Sequence, residues 1–246
     1  MDLLVRVEAP LTSPSRPRLQ AALAGSVALL AGTAVMVSMA LPSWAYPLWN
    51  TGIALVLLAG ALAMGLTPAR LGITIKRRTV IVATIGVLAV AAVYAIGLAL
   101  PATRAAFHDN RAAGLGLGGL AWAMLVRVPF GTVLIEELAF RGVLPALMGA
   151  DGQTWRWQPV LGASALFGLW HFFPALHLAQ HNQAVHALLG SAGTVIAPLV
   201  AMLAAMGAGV FLSAWRHAGR GLLAPFLFHT ATNAGGYMLA WILLPS

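Results

Sequence analysis

Seven apolar runs, near residues 19–41, 48–66, 79–100, 118–147, 158–175, 188–212 and 221–244, divide this chain into segments about as long as a bilayer is thick. In hydrocarbon the backbone N–H and C=O groups have no water to bond, so a run of this length satisfies them internally as an α-helix. The pattern predicts an all-α fold, a polytopic transmembrane bundle of about seven spans. At 60% hydrophobic and only 8% charged residues, the composition excludes a soluble globular domain. A net charge of +8 would suggest nucleic acid were it not for where the charges fall. The basic residues sit in short loops between apolar runs, as they do where charge sets membrane orientation.

Counting those loops gives the expected topology. With the N-terminus inside, the inner segments hold Arg6, Arg16, Arg18, Arg70, Lys76, Arg77, Arg78, Arg156, Arg216 and Arg220, and the outer loops hold only Arg104 and Arg111. The expectation is N-in, C-out. Residues 1–18 read as a polar cytoplasmic segment and 19–246 as a single bundle. The run at 19–41 is too long for a signal-peptide core and is kept as a span. Pro42, Pro47, Pro68, Pro101 and Pro174 fall at or near run ends, where helix breakers belong. The fourth run is longer than one crossing, and Pro129 is expected to kink it. Arg127, two residues earlier, lies either at an interface or against a polar cavity. The absence of cysteine excludes disulfides, thiolate nucleophiles and thiolate metal ligands. Trp44, Tyr46 and Trp49 read as an outer aromatic belt.

Charge inside the fourth run is the next constraint. Glu136, Glu137 and Arg141 occur in PFGTVLIEELAFRGVLPALM, where an ionisable group costs roughly 2.5 to 3.5 kcal/mol to insert unless it is paired or solvated. Glu137 and Arg141 are four apart and share a helix face, whereas Glu136 points away from Arg141. The spacing therefore assigns Glu137 and Arg141 to a structural pair and leaves Glu136 free for chemistry. Two further polar positions recur at four-residue spacing: Phe167 and His171 in ALFGLWHFF, and His229 and Asn233 in FLFHTATNAGG. At ~1.5 Å per residue, Glu136, His171 and His229 fall on the order of 13 to 21 Å from the inner ends of their runs. Three helices thus deliver a carboxylate, two imidazoles and an amide to one level, which suggests a shared polar cavity. His177, His181 and His186 cluster in the loop after the fifth run with no carboxylate nearby, a weak metal candidate. His108 and His217 read as loop residues.

In their order along the chain, the motifs Glu136-Glu137-x-x-x-Arg141, Phe167-x-x-x-His171 and His229-x-x-x-Asn233 resemble the signature of the CAAX protease and bacteriocin-processing (CPBP) family, which includes the type II CAAX prenyl endopeptidases. Leu138, Phe140, Gly142 and Val143 complete a phrase similar to that family's EELxFRGxL. The resemblance covers residues from about 125 to 240, within a catalytic region at about 118–244. It implies intramembrane hydrolysis of peptide bonds in membrane-associated substrates, with Glu136 as general base and His171, His229 and Asn233 as catalytic partners. Phe167, Glu137 and Arg141 are supporting residues.

The residue types fit that chemistry. A carboxylate can activate water, and His229 and Asn233, on one face of the last helix, can donate to a developing oxyanion. No cofactor is expected. The alternative is a zinc site of Glu136, His171 and His229 with one open position. Against it stand the lack of an HExxH helix and of any acidic partner for either histidine evident in the sequence. A third reading is a non-enzymatic membrane scaffold or binding protein using the same polar cluster. The expected partners are the lipid bilayer and a membrane-associated peptide or protein. An Ala-rich, Lys-poor chain points to a bacterial plasma membrane, and substrate identity is left open between a prenylated tail, a leader peptide and another membrane substrate.

Overall fold

A computed structural model describes residues 15–104, 107, 112–176 and 193–243. Arg6, His108, Arg111, His177, His181 and His186 lie outside the described residues. Among those described there is no strand, and seven helices of fourteen residues or more make up the fold: α1 Arg16–Met39, α2 Tyr46–Ala63, α3 Arg77–Ala99, α4 Leu117–Leu147, α5 Trp157–Trp170, α6 Gly193–Gly219 and α7 Leu223–Leu243. Five of them, α1 to α4 and the Ile196–Gly219 part of α6, are long and apolar enough to cross a membrane. The two that do not qualify hold three of the motif residues, Phe167, His229 and Asn233. α5 has 14 residues, and α7 carries His229, Thr230, Thr232 and Asn233 within its length.

The fifth run was expected to be one continuous span, yet its helix breaks at His171. The His171 amide bonds to the Gly168 carbonyl at 3.1 Å, one residue short of the α register. That leaves the Phe167 carbonyl without its usual partner, and a separate short helix, Phe172–Leu176, follows. α6 closes against α5 where Gly168 sits; a Cβ there would stand 2.8 Å from the Met202 carbonyl oxygen.

α4 is the axis of the bundle. Its 31 residues would span ~46 Å as an ideal α-helix, but much of it is wound more tightly along its axis. Ala123–Val133 and Leu138–Val143 are π-helical, with the α-helical turn Leu134–Glu137 between them. Pro129, the residue expected to kink the helix, is accommodated inside the first π stretch, where the missing amide breaks the i→i−4 ladder in any case. Three consecutive-turn contacts from α2 hold this stretch. Tyr46 Oη lies 3.0 Å from Thr132 Oγ1, Asn50 Nδ2 donates to the Gly131 carbonyl at 2.6 Å, and Thr51 Oγ1 donates to the Phe130 carbonyl at 3.0 Å. Gly131 permits the approach, since a Cβ there would fall 2.7 Å from the Tyr46 ring. Tyr46 is thus turned inward and does not belong to the aromatic belt that the sequence suggests; Trp44 and Trp49 are exposed.

The basic residues gather at one end of the bundle. Arg70 donates to the Ala146 and Ala150 carbonyls, Arg78 to Ala218, Arg156 to Gly149, Arg216 to Arg70 and Arg220 to Gln153. The bonds from Arg70, Arg78 and Arg156 fall at or just past the carbonyl ends of α4 and α6, where cations also complement the helix dipole. In the same loop Asp151 Oδ1 accepts from the Gln153 and Thr154 amides at 2.7 Å each, which lowers the Asp151 carboxyl to about 2.

Candidate active site

The π-to-α transition in α4 sets the site. It presents Arg127, Thr132 and Glu136, spaced by five and then four residues, along one side of the helix, and all three line a single cavity of about 940 Å³. His171 from the break after α5, Trp170 beside it, and Asn233 and Thr232 from α7 line the same cavity. Leu41, Ser43, Phe107 and Leu176 also line it, so it reaches the end of the bundle opposite the arginine cluster.

Glu136, one of the residues lining this cavity, is buried at 3% exposure. Trp170 Nε1 donates to its Oε1 at 2.9 Å. Its Oε2 lies 3.7 Å from His229 Nε2, beyond hydrogen-bond reach, and has no hydrogen-bond donor among the described residues. One oxygen is thus tethered and the other is left as an acceptor. Trp170 is the residue that the sequence reading missed. The signal was an indole N–H in an apolar run, which needs a partner when buried.

Glu137 is also buried, at 1% exposure, and is shared by two partners. Arg141 Nη1 stands 3.2 Å from its Oε1, and the same oxygen accepts from His229 Nδ1 at 2.8 Å. The arginine contact is an ion pair without aligned hydrogen-bond geometry. Its guanidinium also lies over the Phe167 ring, 3.9 Å from Cζ to centroid. Phe167 meets His171 edge-on at 4.5 Å and packs against Phe140 at 5.3 Å, so one ring supports both the ion pair and an imidazole.

The two histidines differ. His171 Nδ1 lies 2.8 Å from the Phe167 carbonyl oxygen, the acceptor orphaned by the helix break. A carbonyl accepts only, so in the neutral ring Nδ1 carries the proton and Nε2 keeps its lone pair. His229 was expected to share one target with Asn233. Its Nδ1 is occupied by Glu137, and its Nε2 becomes a donor only in the doubly protonated ring. The reason is rotational: helix periodicity places His229 and Asn233 on one face, but the packing of α7 on α4 turns the His229 end against the two glutamates and the Asn233 end into the cavity. The bond also supplies His229 with a carboxylate partner, which the sequence did not reveal. Even so, among the described residues no three His, Asp or Glu side chains converge as a metal-binding group. Glu136, His171 and His229 do not fit a zinc ion as they stand.

This arrangement lies within one recognisable segment. Residues 118–235 match the family model of the Rce1-like type II CAAX prenyl endopeptidases. Over these residues the chain is similar to the Rce1-like family. The Rce1-like segment runs from the start of α4 into α7 and so contains Glu136, Glu137, Arg141, Phe167, His171, His229 and Asn233. Rce1-like proteins are peptide hydrolases, and with five membrane-length apolar helices this one is an integral membrane protein. No curated protein and no solved structure shows significant similarity to the chain.

Proposed function

We propose that the chain is an intramembrane endopeptidase of the CPBP type, in which Glu136 activates water against a peptide bond of a membrane-associated substrate. The observation that carries this reading is the buried Glu136 carboxylate beside a large cavity, with Oε1 fixed by Trp170 and Oε2 buried without a hydrogen-bond donor among the described residues. Oε2 takes a proton from water as the oxygen attacks the substrate carbonyl. Asn233, on the cavity wall, donates to the oxyanion, a type of contact worth about 2.7 to 4 kcal/mol in transition-state stabilisation. His171, with Nε2 free to accept, holds the water, and the proton taken up by Glu136 then passes to the leaving amine. His229 is held by Glu137 at 2.8 Å, beside Glu136, and fixes the position of the Glu137 carboxylate.

The reading requires no metal, and this is testable. Activity of the purified protein is expected to survive a strong chelator, and Asn233→Ala is expected to lower kcat with little change in KM, because the lost bond forms chiefly in the transition state. Chelator-sensitive activity rescued by zinc, with near-equimolar bound metal, would replace this mechanism with a zinc mechanism and leave the protease reading standing.

The orientation belongs to the same proposal. A seven-span, N-in, C-out bundle places the arginine cluster in the cytoplasm and turns the mouth of the cavity outward. Reporter fusions after Arg78 and after Arg220 are expected to read cytoplasmic, and one after Arg111 external. A C-terminal reporter that reads cytoplasmic would refute the span count.

A further inference from the structure

Arg127 is the cavity residue for which this mechanism has no use. It lies within α4, ten residues from the start of a 31-residue apolar helix, where an unpaired cation is disfavoured. Both acids of the helix are engaged elsewhere, Glu137 by Arg141 and His229, and Glu136 by Trp170. Among the described residues Arg127 has no carboxylate partner. Arg127 is an exposed residue that lines the cavity, with its guanidinium over the face of Tyr46, 5.9 Å from the ring centroid. Tyr46 is in turn fixed by its hydroxyl at Thr132, so the ring that carries the cation is itself held. The result is a pre-positioned planar donor on the wall of the large cavity, a geometry suited to a carboxylate.

The spacing says where on a substrate that carboxylate lies. Arg127 and Glu136 are nine residues apart on the same side of α4, which at 1.5 Å per residue is at most about 14 Å along the helix, and less where the helix is π-wound. An extended peptide covers about 3.3 to 3.6 Å per residue, so the interval corresponds to roughly three to four residues. Arg127 also lies on the side of Glu136 towards the cavity mouth.

We propose that Arg127 is a specificity-determining anchor that binds a substrate carboxylate about three to four residues from the bond Glu136 attacks. The carboxylate is supplied either by the peptide's own C-terminus or by an Asp or Glu side chain. The register relative to the cleaved bond rests on the proposed role of Glu136; the anion site does not.

The test measures binding separately from cleavage. A fluorescent apolar octapeptide is titrated into the purified full-length protein carrying Glu136→Gln, in neutral detergent micelles. Four forms are compared: C-terminal acid or amide, each with a Glu or a Gln four residues from the C-terminus. At least one carboxylate form is expected to bind about tenfold more tightly than its neutral counterpart. Adding Arg127→Gln is expected to erase that difference without weakening the neutral forms, and Arg127→Lys to retain part of it. The acid–amide pair and the Glu–Gln pair identify which source the site reads. Equal binding of all four forms, no binding of any form at millimolar concentration, or equal weakening of every form by Arg127→Gln would overturn the proposal. So would displacement of the peptide by anionic but not zwitterionic lipid through Arg127, which would assign the arginine to a headgroup. Cleavage of all four peptides by the wild-type protein without discrimination would sink the anchor and leave the protease reading intact. Discrimination in binding without any cleavage would do the reverse.

Discussion

Glu136→Gln is expected to abolish peptide cleavage while the protein inserts, purifies and melts like the wild type. Removing a general base typically costs 10²- to 10⁴-fold in rate, and here the same carboxylate also holds the nucleophilic water, so the loss should reach at least the upper part of that range, about 10⁴-fold. Stability is spared because glutamine retains an oxygen to accept from Trp170 Nε1, and Oε2 makes no hydrogen bond that the substitution would break. Two measurements check this: thermal melting of the purified variant, and a comparison of membrane peptides from cells carrying the wild type or Glu136→Gln. Peptides that accumulate uncut only with the variant would also identify the substrate. A variant that leaves the membrane peptides unchanged would favour a binding or scaffold protein.

Glu137→Gln is expected to fail in the opposite way. Arg141 is 1% exposed, and its charge is balanced by Glu137 at 3.2 Å. Leaving a buried charge unpaired costs about 3 to 5 kcal/mol, a large part of the stability of most folds. Low yield and a lowered melting temperature should follow. Arg141→Met in the same chain should recover part of the loss, since the pair is then removed together. Glutamine can still accept from His229 Nδ1, so any protein that does fold should retain some activity. Equal loss of folding in the Glu136 and Glu137 variants would remove the distinction between them.

The parts of the site that were legible in the sequence are local ones. Glu137 and Arg141 meet within one helical turn of α4, and four-residue spacing is enough to expect that contact. The contacts from other helices were not legible. Trp170 reaches Glu136 from 34 residues away, and His229 reaches Glu137 from 92 residues away. Nothing in either local sequence encodes those partners. The break at His171 was also hidden, because the run around it is uniformly apolar and gives no helix-stop signal before Pro174. Tyr46 was read by its position near a span end, where aromatic residues usually face lipid; its inward rotation follows from the polar contacts of α2 with α4.

That the chain is helical and membrane-embedded follows from its residues alone, because backbone hydrogen bonding in hydrocarbon allows a run of apolar residues little else. They also determine which few polar groups are carried into the apolar interior, since each is conspicuous against its neighbours. Which of those groups touch was decided only by the tertiary structure. That depends on the rotation and depth of each helix against the next, set by close packing at Gly131 and Gly168 and by the change of α4 from π to α winding. Periodicity fixes a side chain's direction about its own helix axis, but not what faces it from the helix alongside.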